Sequence, residues 1–119
     1  MSTPVGPYAP VVRAGEWIVC SGQVGLSEGR LVEGGIEAQV RQAIANVAAL
    51  LESQGASLRD VVKTTVFLSD IADYGAMNEA YVEGFGDHRP ARSAVAVAAL
   101  PLGALVEVEA WARLAGRMP

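Results

Sequence analysis

The chain has 119 residues and a mass of 12.4 kDa, the size of one ordinary domain, and 51% of its residues are hydrophobic, enough for a continuous core. Its net charge of −4 comes from 13 acidic residues against 9 basic ones, with Lys63 the sole lysine. The clustered cations that neutralise a phosphate backbone are missing, so nucleic-acid binding is not expected.

The one cysteine, Cys20, excludes an internal disulfide and a cysteine-based zinc site and suits a reducing compartment. Residues Met1 to Tyr8 lack a positive segment followed by an apolar core, and no apolar run reaches membrane-spanning length. The expectation is a soluble cytoplasmic protein with a single domain over 1–119 and no membrane partner. The 18% charged fraction is low for a soluble surface, which suggests apolar surface shared with another copy.

In chain order, Val11 to Gln23 reads as a hairpin turning at Ala14-Gly15-Glu16, with Ser21-Gly22-Gln23 as a small turn ending the second strand. Glu28-Gly29 is a turn before a short extended piece, Arg30-Leu31-Val32, and Gly34-Gly35 breaks the chain. From Ile36 to Gln54 the apolar residues Ile36, Val40, Ile44, Val47 and Leu51 recur at helical spacing, and Gly55 stands where a left-handed cap belongs. Val61 to Leu68 is a strand. Asp70 is placed to cap a second helix, whose stripe is Tyr74, Met77, Tyr81 and Phe85, with Asn78 on the same face. A loop from Gly84 to Pro90 precedes a strand from Ala91 to Ala98, and Pro101 and Gly103 mark a turn. In the last strand, Leu105 to Leu114, Val106, Val108, Ala110 and Ala112 face one way and Leu105, Glu107, Glu109, Trp111 and Arg113 the other. This order makes the chain α+β, with two helices on one face of the sheet and the other face free for partners.

Phosphate-binding glycine loops, paired histidines and a Ser-His-Asp set are not found. His88 is the sole histidine and lies in a polar loop, where a structural role is the commoner one. Arg92, at the entrance of a strand, is either an edge residue reaching water or a planar fork for a carboxylate. Glu107 and Glu109 share a strand face with Leu105 and Trp111: either they line a solvated sheet face, the commoner reading of this spacing, or the apolar neighbours bury them in part and make at least one a candidate acid or base. Asn78, set between tyrosines, either ties a loop to its helix or reaches a ligand. Ser21-Gly22-Gln23 is either an ordinary strand-ending turn or a place where backbone N–H groups approach a ligand closely.

Taken together, Gly6-Pro7-Tyr8, Ser21-Gly22-Gln23, Asn46, Val62 to Leu68, Asn78-Glu79-Ala80-Tyr81, Pro90-Ala91-Arg92-Ser93 and Val106-Glu107-Val108-Glu109-Ala110 resemble, in order and spacing, the reactive intermediate deaminase family, Rid or YjgF. The resemblance implies a chorismate-mutase-like α+β fold, a mixed sheet, and a homotrimer with pockets between subunits. It implies hydrolysis of 2-imino acids and their enamine tautomers, such as 2-aminoacrylate and 2-iminobutyrate, without metal or organic cofactor. On this resemblance Arg92 pairs with the substrate carboxylate and Glu107 positions or activates water, while Tyr8, Ser21, Gly22, Asn78 and Ala94 line the pocket. Many members carry a cysteine where this chain has Ala94, so a mechanism needing that thiolate is closed to it. Two rival readings remain within the family: a non-catalytic ligand-binding or chaperone-like trimer, and an endoribonuclease or translation inhibitor, which the acidic balance and lone histidine disfavour.

Overall fold

Val106, Val108, Ala110 and Ala112 alternate with Glu107, Glu109, Trp111 and Arg113 because β7 (Val106–Arg113) is the middle strand of a sheet that helices cover on one face only. The computed structural model describes residues 4–114; the expected limits 1–119 and the reading of Met1, Ser2 and Thr3 extend outside them. The sheet has five strands in the order β1-β2-β7-β5-β6, with β1 at Val11–Ala14, β2 at Trp17–Val24, β5 at Val61–Leu68 and β6 at Ala91–Ala96. β5 and β6 run parallel, joined through α2 (Tyr74–Phe85), and the other neighbours are antiparallel. The expected α+β class and mixed sheet are what is found.

A separate two-stranded hairpin pairs β3 (Leu26–Ser27) with β4 (Arg30–Leu31). Its second strand is the extended piece expected at Arg30 to Val32, whereas two residues are too few for β3 to leave a periodic signal. β6 stops at Ala96 rather than Ala98, where the Val97 N–H donates to the Leu68 carbonyl at 2.8 Å.

Helix α1 spans Gly35–Glu52, and Val40, Ile44, Val47 and Leu51 of its stripe are buried against the sheet and α2, while Ile36 is half-buried at its start. Each such side chain contributes about 2 kcal/mol by leaving water. At the other end Gly55, at φ 81°, donates to the Glu52 carbonyl and Ala56 to that of Leu51, the pair of bonds of a Schellman cap.

In α2, Met77, Tyr81 and Phe85 are buried, but Tyr74 is 40% exposed. Asp70 does not cap α2. Its carboxylate accepts from Ala72 N–H at 2.9 Å and caps a 3-10 turn, Ile71–Asp73, that leads into the helix. A short turn inserted before the helix moves its start to Tyr74, and the cap residue stays with the turn.

Buried and half-buried polar groups pin the layers. Asn46 donates to the carbonyls of Val24 and Leu26 at 3.1 and 3.0 Å, and Gln39 accepts from Leu105 N–H. Thr64 and Tyr81 join hydroxyls at 2.7 Å, tying β5 to α2. His88 Nε2 donates to the Val61 carbonyl at 2.8 Å, a structural use.

The uncovered face carries Val12, Trp17, Val95 and Trp111 exposed around Lys63, Thr65, Glu107 and Glu109. Trp17 and Trp111 meet edge to face, ring centroids 6.2 Å apart. Leu105 is half-buried as expected, but Trp111 stays 45% exposed in the single chain. An apolar patch of this kind on a sheet face is what subunit contacts use.

Candidate active site

The residues singled out by sequence fall into two groups, separated by the sheet. In the register of β5 with β6, Arg92 pairs with Thr64 and Ala94 with Val66; in that of β5 with β7, Glu107 pairs with Phe67 and Glu109 with Thr65. Paired residues point to the same side, and Thr64 and Val66 are fully buried under the helices. Arg92 and Ala94 therefore project toward the helix side, and Glu107 toward the uncovered one.

The carboxylate group forms where β2 departs from regular pairing. The register of β2 with β7 shifts between Cys20 and Gln23, so Ser21-Gly22-Gln23 is a bulge within the strand and not a turn that ends it. The bulge sets Gly22 against the Glu107 side chain, so closely that any Cβ would overlap the carboxylate. Val5, Tyr8, Gly22, Gln23, Leu102 and Glu107 line a cleft of about 40 Å³. Leu102 sits at its rim with φ 62°, a left-handed conformation costly for a leucine.

Ser21 is not part of that lining. Its hydroxyl donates to the Ala9 carbonyl at 2.7 Å and its N–H to that of Pro10 at 2.9 Å, which fastens the segment carrying Tyr8 across the bulge. Burial pushes the Glu107 carboxyl above the usual glutamate value, and the nearby Glu109 charge adds to the effect.

The arginine group lies at the margin of the sheet, since β6 is an edge strand. Arg92 is packed under α2: its Nη2 donates to the Tyr74 hydroxyl at 3.1 Å and its Nη1 to Met77 Sδ at 3.7 Å. The guanidinium carbon stands 4.8 Å from the Tyr81 ring centroid and 5.7 Å from that of Tyr74, within cation–π range of both. The guanidinium is thus held against two aromatic rings instead of extending freely from the edge of the sheet. Burial raises the Tyr81 phenol pKa, which the Thr64 hydrogen bond and the Arg92 charge partly offset.

On the same helix, the Asn78 Oδ1 is buried and has no hydrogen-bond partner among the described residues. An orphan acceptor of this kind costs about 1–3 kcal/mol. Ala94 packs against the core two residues beyond Arg92. Tyr8, Gly22 and Glu107 are thus gathered in one place and Arg92, Asn78 and Ala94 along another strand and helix.

Tyr74, Met77 and Tyr81 surround Arg92 although the sequence places them only in the apolar stripe of α2. The signal was present in the stripe itself, two tyrosines on one helical face with hydroxyls to satisfy. Among the described residues, no group of three or more His, Cys, Asp or Glu is placed to hold a metal ion, and no helix is long and apolar enough to cross a membrane.

Residues 1–114 match the sequence family described as Endoribonuclease L-PSP. The 2-iminobutanoate/2-iminopropanoate deaminase of Mus musculus is 46% identical over 110 residues, covering 91% of this chain and 82% of that protein. The crystal structure of RidA from the Antarctic bacterium Psychrobacter sp. superposes with a TM-score of 0.89 at 41% identity, covering 93% of this chain and 91% of that one. That of E. coli TdcF with bound serine gives 0.87 at 35% identity, covering 92% and 90%. With its mixed sheet, its two helices and this degree of identity along nearly the whole length, the chain belongs to the RidA (YjgF) family, the family described as Endoribonuclease L-PSP.

Proposed function

We propose that this protein is a hydrolytic deaminase of 2-imino acids and their enamine tautomers, working as a homotrimer at pockets that take Arg92 from one copy and Glu107 from the next. The observation that carries the reading is the placement of Arg92 and Glu107 on opposite faces of one sheet. Each group is incomplete alone: a cation at an edge strand, and a desolvated carboxylate in a cleft that opens on an apolar face. A neighbouring copy laid on that face supplies the missing partner and covers the exposed tryptophans. The deaminase name of the mouse relative and the serine bound to TdcF, itself a small 2-amino acid, support the substrate class.

In this reading the guanidinium of Arg92, fixed by its aromatic cage, holds the substrate carboxylate and with it the orientation of C2. The protonated imine is already electrophilic. Glu107 takes a proton from water as the oxygen bonds to C2, giving a carbinolamine, and returns that proton to nitrogen. The C–N bond then breaks as Glu107 takes the proton of the carbinolamine hydroxyl, leaving the 2-oxo acid, and the departing ammonia carries that proton away as ammonium. A carboxyl with a raised pKa suits both halves of this exchange, because it takes and returns a proton near neutral pH more readily than an ordinary glutamate. An enamine must first gain a proton at C3. Ala94 offers no thiol, so the route needs none there.

The family description names a ribonuclease, but the lone His88 is engaged by the Val61 carbonyl and the candidate base lies in an acidic cleft, a poor setting for a phosphodiester.

Subunit mixing tests the proposal. Arg92→Ala and Glu107→Gln should each abolish faster ammonia release from 2-iminobutyrate generated in place by a dehydratase. Co-expressed, the two variants should recover roughly a quarter of wild-type activity, the share of sites that random mixing leaves with both groups intact. No recovery in a proven mixed trimer would place both groups in the same subunit's site and overturn the shared pocket. No acceleration by the wild type over several imines would leave a binding protein instead.

A further inference from the structure

Beside Arg92 stands a hydroxyl that packing does not require. Tyr74 is 40% exposed, and its ring alone would supply the cation–π contact to the guanidinium at 5.7 Å. Its oxygen accepts from Arg92 Nη2 at 3.1 Å, which leaves its own proton free to be donated. Among the described residues that proton meets no acceptor. The neighbouring Tyr81 differs: its hydroxyl is joined to Thr64 inside the core. Of the two phenols in the cage, one is sealed and the other presents a donor to the outside.

Resting on the deaminase reading above, we infer that the Tyr74 hydroxyl is a second, neutral donor to the substrate carboxylate, making Tyr74 a binding and specificity residue. Nη2 and the phenol oxygen lie 3.1 Å apart, a spacing that lets the two oxygens of one carboxylate accept from both. Arg92 Nη1 turns part of its donor capacity toward Met77 Sδ, a weak acceptor, so one side of the fork is directed into the protein. Tyr74 restores a donor on the outward side. Because Nη2 donates to the phenol oxygen, the O–H is polarised and becomes a stronger donor to an anion. The arrangement selects for a planar carboxylate against a neutral amide, whose oxygen can accept from one donor while its NH2 group is left facing the other.

Tyr74→Phe isolates the hydroxyl, since the ring and its contact with Arg92 are kept. Binding of 2-oxobutanoate, measured by titration calorimetry on the assembled protein, should weaken about tenfold, the usual worth of a hydrogen bond to a charged group. KM for 2-iminobutyrate should rise by a similar factor with kcat within about twofold, and the melting temperature should not move. Val82→Ala, on the exposed side of α2, should change none of these. An unchanged dissociation constant in Tyr74→Phe overturns the inference, and so does a fall in kcat with binding intact. If the wild type binds 2-oxobutanoate but accelerates no imine hydrolysis, the deaminase reading fails while the role of Tyr74 is still decided by the titration. A wild type that binds no carboxylate overturns both.

Discussion

A Cβ built on Gly22 would sit 2.7 Å from the carboxyl carbon of Glu107, so the carboxylate occupies its position only because residue 22 has no side chain. The obstructed group is the far end of a flexible side chain, which turns aside more cheaply than backbone does. Gly22→Ala should therefore fold, with a melting temperature within a few degrees of wild type, and lose about 100-fold in kcat as the base is displaced. Steady-state assays beside thermal melts check the dissociation of the two effects.

The raised pKa of Glu107 has a sign that can be read in stability. A carboxyl whose folded pKa lies above its unfolded one favours the folded state most when protonated. That contribution is complete below the unfolded value, near 4.3 for a free glutamate, roughly speaking, and is lost as pH rises through the folded pKa. Glu107→Gln should accordingly melt at a higher temperature than wild type at pH 7, by a few degrees, with the gap closing toward pH 4. The same shift moves the acid limb of the pH–kcat profile toward neutrality, since the base must be ionised when water attacks.

Asn78 keeps a buried acceptor without a partner, a cost that an apolar side chain of similar shape removes. Asn78→Leu should raise the stability of the fold by about 1 kcal/mol while lowering activity at least tenfold. Denaturant titration and turnover of 2-iminobutyrate would show the two moving in opposite directions. A loss of stability would instead assign Asn78 a structural role.

Assembly through the uncovered face can be tested at Trp111, which meets Trp17 there and stands opposite Lys63 on β5. Trp111→Glu places a charge where a second copy would have to bury it, at a cost of several kcal/mol. On the proposed assembly, native mass should fall from trimer to monomer, and the proposed deamination should fall with it. Cys20 offers a built-in control for intact folding: it is buried and its thiol pKa is pushed up to about 11 by burial, so thiol reagents should not touch it while the core is closed.

Periodicity made most of this fold legible. The stripe of α1 and the alternation of β7 are long enough to be unambiguous, and both faces of β7 are assigned correctly. The errors lie where short local structure overrides a pattern. Asp70 is a good cap, but of a 3-10 turn whose presence nothing in Ile71-Ala72-Asp73 announces. Ser21-Gly22-Gln23 contains a glycine in a strand, a sign of a bulge as much as of an ending, and the difference decides whether Gly22 meets Glu107. The site residues were named through many spaced segments together, whereas their division between two faces depends on strand register, which emerges only once β5, β6 and β7 are paired. By sequence Tyr74 is one more apolar contact, because helical spacing reports the face and says nothing of where a hydroxyl ends.

The division of Arg92 and Glu107 between two faces also bears on how output depends on the amount of protein. On the proposed assembly a lone copy is catalytically silent, so specific activity should collapse on dilution below the dissociation constant of the trimer and climb steeply above it. A cell expressing the chain at low level would gain almost no protection from reactive imines, and a modest rise in expression would switch it on.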